Sequence, residues 1–295
     1  MLADLQKFAI PQAVSIVSGC HDLPKVVLHH PSGAGAEVYL HGGHITSWTN
    51  TAGEDLFFIS RESYFEPGRA IRGGIPVIFP QFGGSGPLPQ HGFARNATWE
   101  LIHTALHADG TVAATLALTD SPDTLTLWPH QFRLELDMQL AETALDVVLR
   151  ATNTGNAPFT FTTALHTYFH VADIHQTAVS GLQGVTFIDS LRDDLREVET
   201  RPAIHFAGET DRIYLDAPNQ LCIDDAGNRR AIIITKSHLP DVVVWNPWVA
   251  KSQRMRDFGD DEYLQMVCVE TGGIETPVAL PAGGEWQGQT TFQSA

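Results

Sequence analysis

The chain has 295 residues, 43% of them hydrophobic and 18% charged, enough apolar material to bury a sizeable core and too much for a disordered chain. Its 34 acids outweigh 18 Lys and Arg for a formal charge of −16, which argues against nucleic acid or an anionic membrane as partner, because both are bound through clustered cations. Three dispersed cysteines, Cys20, Cys222 and Cys268, show no paired spacing and fit a reducing compartment better than a disulfide framework.

Met1 to Pro11 contains Asp4 and Lys7 and no apolar run, so neither a signal peptide nor a membrane helix is expected there, and a cytoplasmic protein is. From that point the chain reads as short strand signals separated by turn residues. Val38-Tyr39-Leu40, Asp55 to Ile59, Thr111 to Leu118, Phe132 to Leu140 and Ala144 to Ala151 come first, then Phe159 to Thr163, Ala231 to Thr235 and Val242 to Trp245. Arg133 to Leu140 alternates strictly between polar and apolar, as in an antiparallel sheet with one wet face. Asn153 to Pro158 supplies a turn. Helical signals are scarce, and neither a linker nor an internal repeat divides the chain. The fold class predicted is all-β, a large antiparallel β-sandwich with residues 1–295 as one domain. Without a heptad seam or a sustained amphipathic helix, a monomer is expected.

Ile71 to Gly84 and Leu88 to Asn96 are rich in Gly and Pro, which shape a rigid loop rather than a free linker. Arg72 and Arg95 frame it, and two guanidinium forks converging from one loop suit a dianion such as a phosphate. Equally, they could lie on the surface or pair with Glu66 and Glu100. Gln90 and His91 sit beside Arg95 in sequence and are placed in or near the same site. Further on, Leu165 to His170 and Val267 to Gly272 each set one proton-transfer group, His166 or Glu270, inside an apolar or β-branched stretch, where an unpaired ionisable side chain is costly. That pattern suggests acid–base chemistry. Asp211, in a turn expected at Glu209 to Arg212, reads either as a ligand contact or as a solvated carboxylate, and Trp245, Asn246 and Trp248 either as a stacking wall with an amide or as core.

A metal centre is not expected from the histidine spacing. The His166/His170 pair lacks the glutamate of a zinc-binding HExxH helix, and in a strand positions i and i+4 lie about 13 Å apart at ~3.3 Å per residue.

Taken in order, RGGIPVIFPQFG (72–83), LPQHGFARNATW (88–99), ALHTYFHVADI (164–174), ETDRIY (209–214), VVWNPW (243–248), KSQRMRDFGDDEY (251–263) and VCVETG (267–272) resemble the landmarks of the D-hexose-6-phosphate mutarotases, or glucose-6-phosphate 1-epimerases, in the aldose 1-epimerase superfamily. The resemblance runs from about Val26 to the final strand. It implies the galactose-mutarotase-like supersandwich and exchange of α and β anomers of a phosphorylated hexose without cofactor or metal. It also implies that His166 and Glu270 are the catalytic pair and that Arg72, Gln90, Arg95 and Asp211 are substrate contacts. Gln81 and His170 depart from the pattern, where many relatives carry Trp and Asn. Two rival readings are a mutarotase of unphosphorylated aldoses, which would not need both arginines, and a non-catalytic carbohydrate-binding protein.

Overall fold

A computed structural model describes residues 2–294. Among them are twenty-one strands in sheets of four, eight and nine, and every strand-to-strand pairing is antiparallel. Phe132–Leu140 shows why: Phe132, Leu134, Leu136, Met138 and Leu140 are all buried while the residues between them are only partly covered. Slipping the register by one residue would exchange those faces, so the alternation fixes the pairing with Ala144–Asn153 from Phe132↔Asn153 to Leu140↔Leu145. The turn that follows is locked by Asn153, whose amide donates to Ala157 O and whose side-chain oxygen accepts from Gly155 N.

The eight-stranded and nine-stranded sheets pack face to face as a sandwich. Phe161 meets Trp286 at 5.5 Å and Phe169 meets Phe292 at 5.5 Å between ring centroids, and the Thr271 and Thr290 hydroxyls bond at 2.6 Å across the interface. The four-stranded sheet, from Val14–Ser18 to His44–Thr49, closes on them through Trp48 against Phe292. Each of the buried phenylalanines Phe161, Phe169 and Phe292 contributes roughly 1.5–3 kcal/mol. No helix among the described residues is long and apolar enough to cross a membrane.

One expected strand is absent. Asp55 to Ile59 forms isolated bridges to three different partners, Asp55 to Thr49, Phe57 to Phe169 and Ile59 to Gly73. The Asp55 carboxylate accepts from both Trp48 N and Phe57 N, so the segment crosses between sheets instead of extending one ladder.

The middle of the eight-stranded sheet carries two different faces. Along Met266–Leu280, Val267 and Val269 point into the sandwich core, whereas Cys268 and Glu270 point outward. Val242 and Val244 of Asp241–Asn246 face the core likewise, and Val243 and Trp245 face out.

Candidate active site

His166 and Glu270 meet because the ladder keeps one register across a gap. Phe159–Leu165 ends with Leu165↔Thr271, and Tyr168–His170 resumes with Tyr168↔Cys268, so counting inward from either side sets His166 opposite Glu270. Across the gap His166 N donates to Pro76 O and Thr167 O accepts from Val269 N. The His166 Nδ1 to Glu270 Oε1 distance is 3.3 Å, and Cys268 Sγ lies 3.9 Å from the same nitrogen. On the same outward face come Tyr168, stacked on His166 at 5.0 Å, and Trp245, edge-on to His166 at 6.3 Å. Together they floor a cleft of about 830 Å³.

Burial drives the protonation of the pair. It pushes Glu270 well above the usual carboxylate range, with Asp211 adding and Arg95 opposing. It pulls His166 well below the usual imidazole value, reinforced by His91, Arg95 and Arg72. Both partners thus shift toward their neutral forms, a carboxylic acid beside a neutral imidazole at 3.3 Å, and away from an ion pair. One proton is held between two groups. Glu270 Oε2 is buried without a hydrogen-bond partner among the described residues.

Arg72 lies at the cleft, but its partner is neither Glu66 nor Glu100. Its Nε and one terminal nitrogen donate to Asp257 Oδ2 at 3.1 and 3.0 Å, and the other donates to the Tyr168 hydroxyl at 2.9 Å. Burial alone would lower its pKa; Tyr168 and Asp257 outweigh that and raise it. Glu66 pairs with Arg69 instead. Arg95 donates to Gln90 O, its Nε is buried without a partner among the described residues, and burial with the nearby Arg72 charge lowers it to about 10. Arg95 sits behind the cleft rim, which Gln90 and His91 form. His91 takes a left-handed backbone, φ 67°, and packs edge-on to His166 at 5.4 Å; burial, then Arg95 and Arg72, pull it down to about 3.

The turn His41-Gly42-Gly43-His44 braces both arginine segments. His44 Nε2–H donates to Gly73 O at 2.7 Å and His41 Nε2–H to Arg69 O at 2.6 Å, while Gly42 N donates to Ala97 O at 2.7 Å. A side chain at Gly42 would meet Arg95 O at 2.7 Å. Burial, with His41, Arg95 and Arg72 also contributing, holds His44 at about 3, and therefore neutral.

Asp211 belongs to strand Thr210–Tyr214, not to a turn, and pairs with Trp245 of the neighbouring strand. Its carboxylate reaches the cleft beside Lys251 Nζ at 3.4 Å; burial raises its pKa and Lys251 opposes that. Trp245 lines the cleft. Trp248 packs instead on His175 and Tyr263, and the Asn246 amide bonds Tyr263 O and Met266 O. Gln81 staples the glycine loop through Gly83 O, Leu88 O and Leu88 N, and His170 lines a separate hollow beside Asp55. Neither departure from the pattern therefore lies on the cleft floor. Cys268, Asp257 and Lys251 went unnoticed in the sequence. Cys268 was legible, two residues before Glu270 on the same strand face; Asp257 and Lys251 reach the site only through long-range packing.

Comparison with known proteins gives a consistent picture. The family model described as Aldose 1-epimerase matches residues 24–293. A candidate glucose-6-phosphate 1-epimerase of Cenchrus ciliaris is 43% identical, with 92% of this chain and 85% of that protein covered. Another from Escherichia coli strain K12 is 40% identical, with 85% and 83% covered. A crystal structure of a candidate mutarotase from Salmonella typhimurium superposes with a TM-score of 0.88 at 33% identity, covering 100% of this chain and 99% of that one. With the family match spanning the sandwich and every strand that floors the cleft, the chain belongs to the aldose 1-epimerase family.

Proposed function

We propose that the cleft interconverts the α and β anomers of a hexose 6-phosphate, glucose 6-phosphate first among them, by proton transfer. The observation that carries this reading is the His166–Glu270 pair, which holds one proton between two groups 3.3 Å apart on the floor of a sugar-sized cleft. Ring opening removes the proton from the C1 hydroxyl and delivers one to the ring oxygen; rotation about C1–C2 and closure reverse the transfers. Glu270 as carboxylate takes the hydroxyl proton and His166 as imidazolium supplies the ring oxygen. Their products, a carboxylic acid and a neutral imidazole, are the forms burial favours. Exchange across the short contact then resets the pair without a proton leaving the site, and general acid–base help of this kind is worth about 10²–10⁴-fold.

Arg72 at the cleft, with the charge of Arg95 behind the rim, supplies the cationic end for the phosphate, while Gln90, His91 and Asp211 line the path between. Relatives named for glucose 6-phosphate support that substrate. The whole chain acts as one domain in this reading, since Arg72, Gln90 and His91 from first-half loops line the same cleft as strands of the second half. One observation favours an unphosphorylated aldose instead: Asp257 and Tyr168 already take three of the five N–H donors of Arg72, one from each of its nitrogens.

The test follows freshly dissolved α-glucose 6-phosphate by coupled oxidation of its β anomer, with glucose and galactose in parallel. Equilibration well above the spontaneous rate, and faster for the phosphosugar, is expected. A rate equal to the spontaneous one removes the enzyme reading, and a preference for galactose transfers it to the unphosphorylated aldoses.

A further inference from the structure

The outward face of the central strands brings together a donor set that histidine spacing does not reveal. His166, Cys268 and Glu270 place a nitrogen, a sulfur and a carboxylate oxygen all within 4.8 Å of one another, and all three residues are buried. We propose that these three side chains form a binding site for a thiophilic divalent cation of the Zn²⁺ or Cd²⁺ class, and that cation and sugar exclude each other there.

The distances fit. In a tetrahedral zinc site, with bonds of ~2.3 Å to sulfur and ~2.0–2.2 Å to nitrogen and oxygen, neighbouring donors stand roughly 3.4–3.7 Å apart. His166 Nδ1 is 3.9 Å from Cys268 Sγ and 3.3 Å from Glu270 Oε1, so closing on an ion needs shifts of about an ångström or less. The donors are held by the ladder itself: Cys268 and Glu270 alternate along one strand, paired to Trp245 and Val243, and His166 stands opposite. Glu270 Oε2, buried and without a hydrogen-bond partner among the described residues, gives the carboxylate a free lone pair inside the cluster. Three protein donors beside an open cleft match the pattern in which the fourth position is left to water or another small ligand. The thiolate selects against Mg²⁺ and Ca²⁺, which prefer oxygen.

Binding is proton-balanced: the Cys268 thiol and the Glu270 carboxylic acid each release a proton to solvent, and neutral His166 coordinates through Nδ1. The ion occupies the groups assigned above to proton transfer, so the metal form is the inactive one. Only this consequence rests on the proposed function.

The experiment uses the full chain stripped of metal and titrated with Co²⁺ as a spectroscopic probe. Expected is a thiolate-to-cobalt charge-transfer band saturating at one ion per chain, abolished by Zn²⁺ and retained in the Cys20→Ser/Cys222→Ser variant. Cys268→Ser should lose the band and bind Zn²⁺ on the order of 100-fold more weakly. Absence of the band in the wild-type protein, or its loss in the Cys20→Ser/Cys222→Ser variant, overturns the proposal whether or not Cys268→Ser folds. Because the readout is optical, a protein that binds Co²⁺ but, when metal-free, leaves anomer exchange at the spontaneous rate would sink the proposed function and leave the metal site standing.

Discussion

A proton confined to a buried pair makes the roles of single residues separable by kinetics. Glu270→Gln keeps the shape of the side chain but cannot cycle a proton, so kcat/KM should fall by about 10²–10⁴ while phosphosugar affinity changes little. Steady-state rates beside equilibrium binding check this, and a variant within a few-fold of wild type would rule out Glu270 as the base. Arg95→Ala should raise KM for glucose 6-phosphate roughly 10- to 100-fold, the usual worth of a hydrogen bond to a charged group, with little change for glucose. Equal losses on both sugars would argue against a phosphate role. At this scale the sequence was readable where burial is costly: His166 and Glu270 stood out as ionisable groups in apolar strands, and the fold brings them to 3.3 Å. The partner of Arg72 was not readable, because Asp257 lies 185 residues away and local spacing pointed to Glu66.

Elements carry the site through alternation and through one tight turn. Val267-Cys268-Val269-Glu270 declares its two faces by period two, and strands such as Phe132–Leu140 were legible to the residue for the same reason. Asp55 to Ile59 was misread because its hydrophobic pattern is that of a strand while its hydrogen bonds go to three partners. Asp211 was misread because a run of polar residues resembles a turn even when its strand lines the cleft face of a sheet. The Arg72 segment depends on backbone that only glycine tolerates. Gly73 has φ of +115°, and a Cβ there would lie 2.2 Å from Phe58 O and 2.7 Å from Ile59 Cα. Gly73→Ala should therefore cost at least about 1–3 kcal/mol in strain and displace Arg72, read as a lower urea midpoint together with a raised KM for the phosphosugar. A variant as stable as wild type would show that the loop relaxes freely around this position.

For the molecule as a whole, buried neutral histidines set the response to acid. His44 and His91 have folded pKa values of about 3 against 6.5 in an open chain. Below 6.5 the unfolded state therefore binds protons that the folded state refuses. The stability these two sites contribute is full above pH 6.5 and falls as pH drops toward 3, by up to about 1.4 kcal/mol per unit and site, or about 4 kcal/mol for the pair by pH 5. His166 shifts in the same direction, but Glu270, whose pKa is raised, shifts in the opposite one, so the two oppose each other between about pH 4.5 and 6.5. Urea unfolding at pH 7.5 and pH 5 measures the loss, and His91→Asn, which tolerates the left-handed backbone, should remove about half of it. An unchanged pH dependence in that variant would mean that other groups dominate. The brace at His41 to His44 belongs to the same account. By tying two like-charged arginine segments to one turn that holds the neutral His44, the fold meets their mutual repulsion during its own formation. On the proposed function, an arriving dianion would then find a cationic end already assembled and relieve a tension instead of creating order.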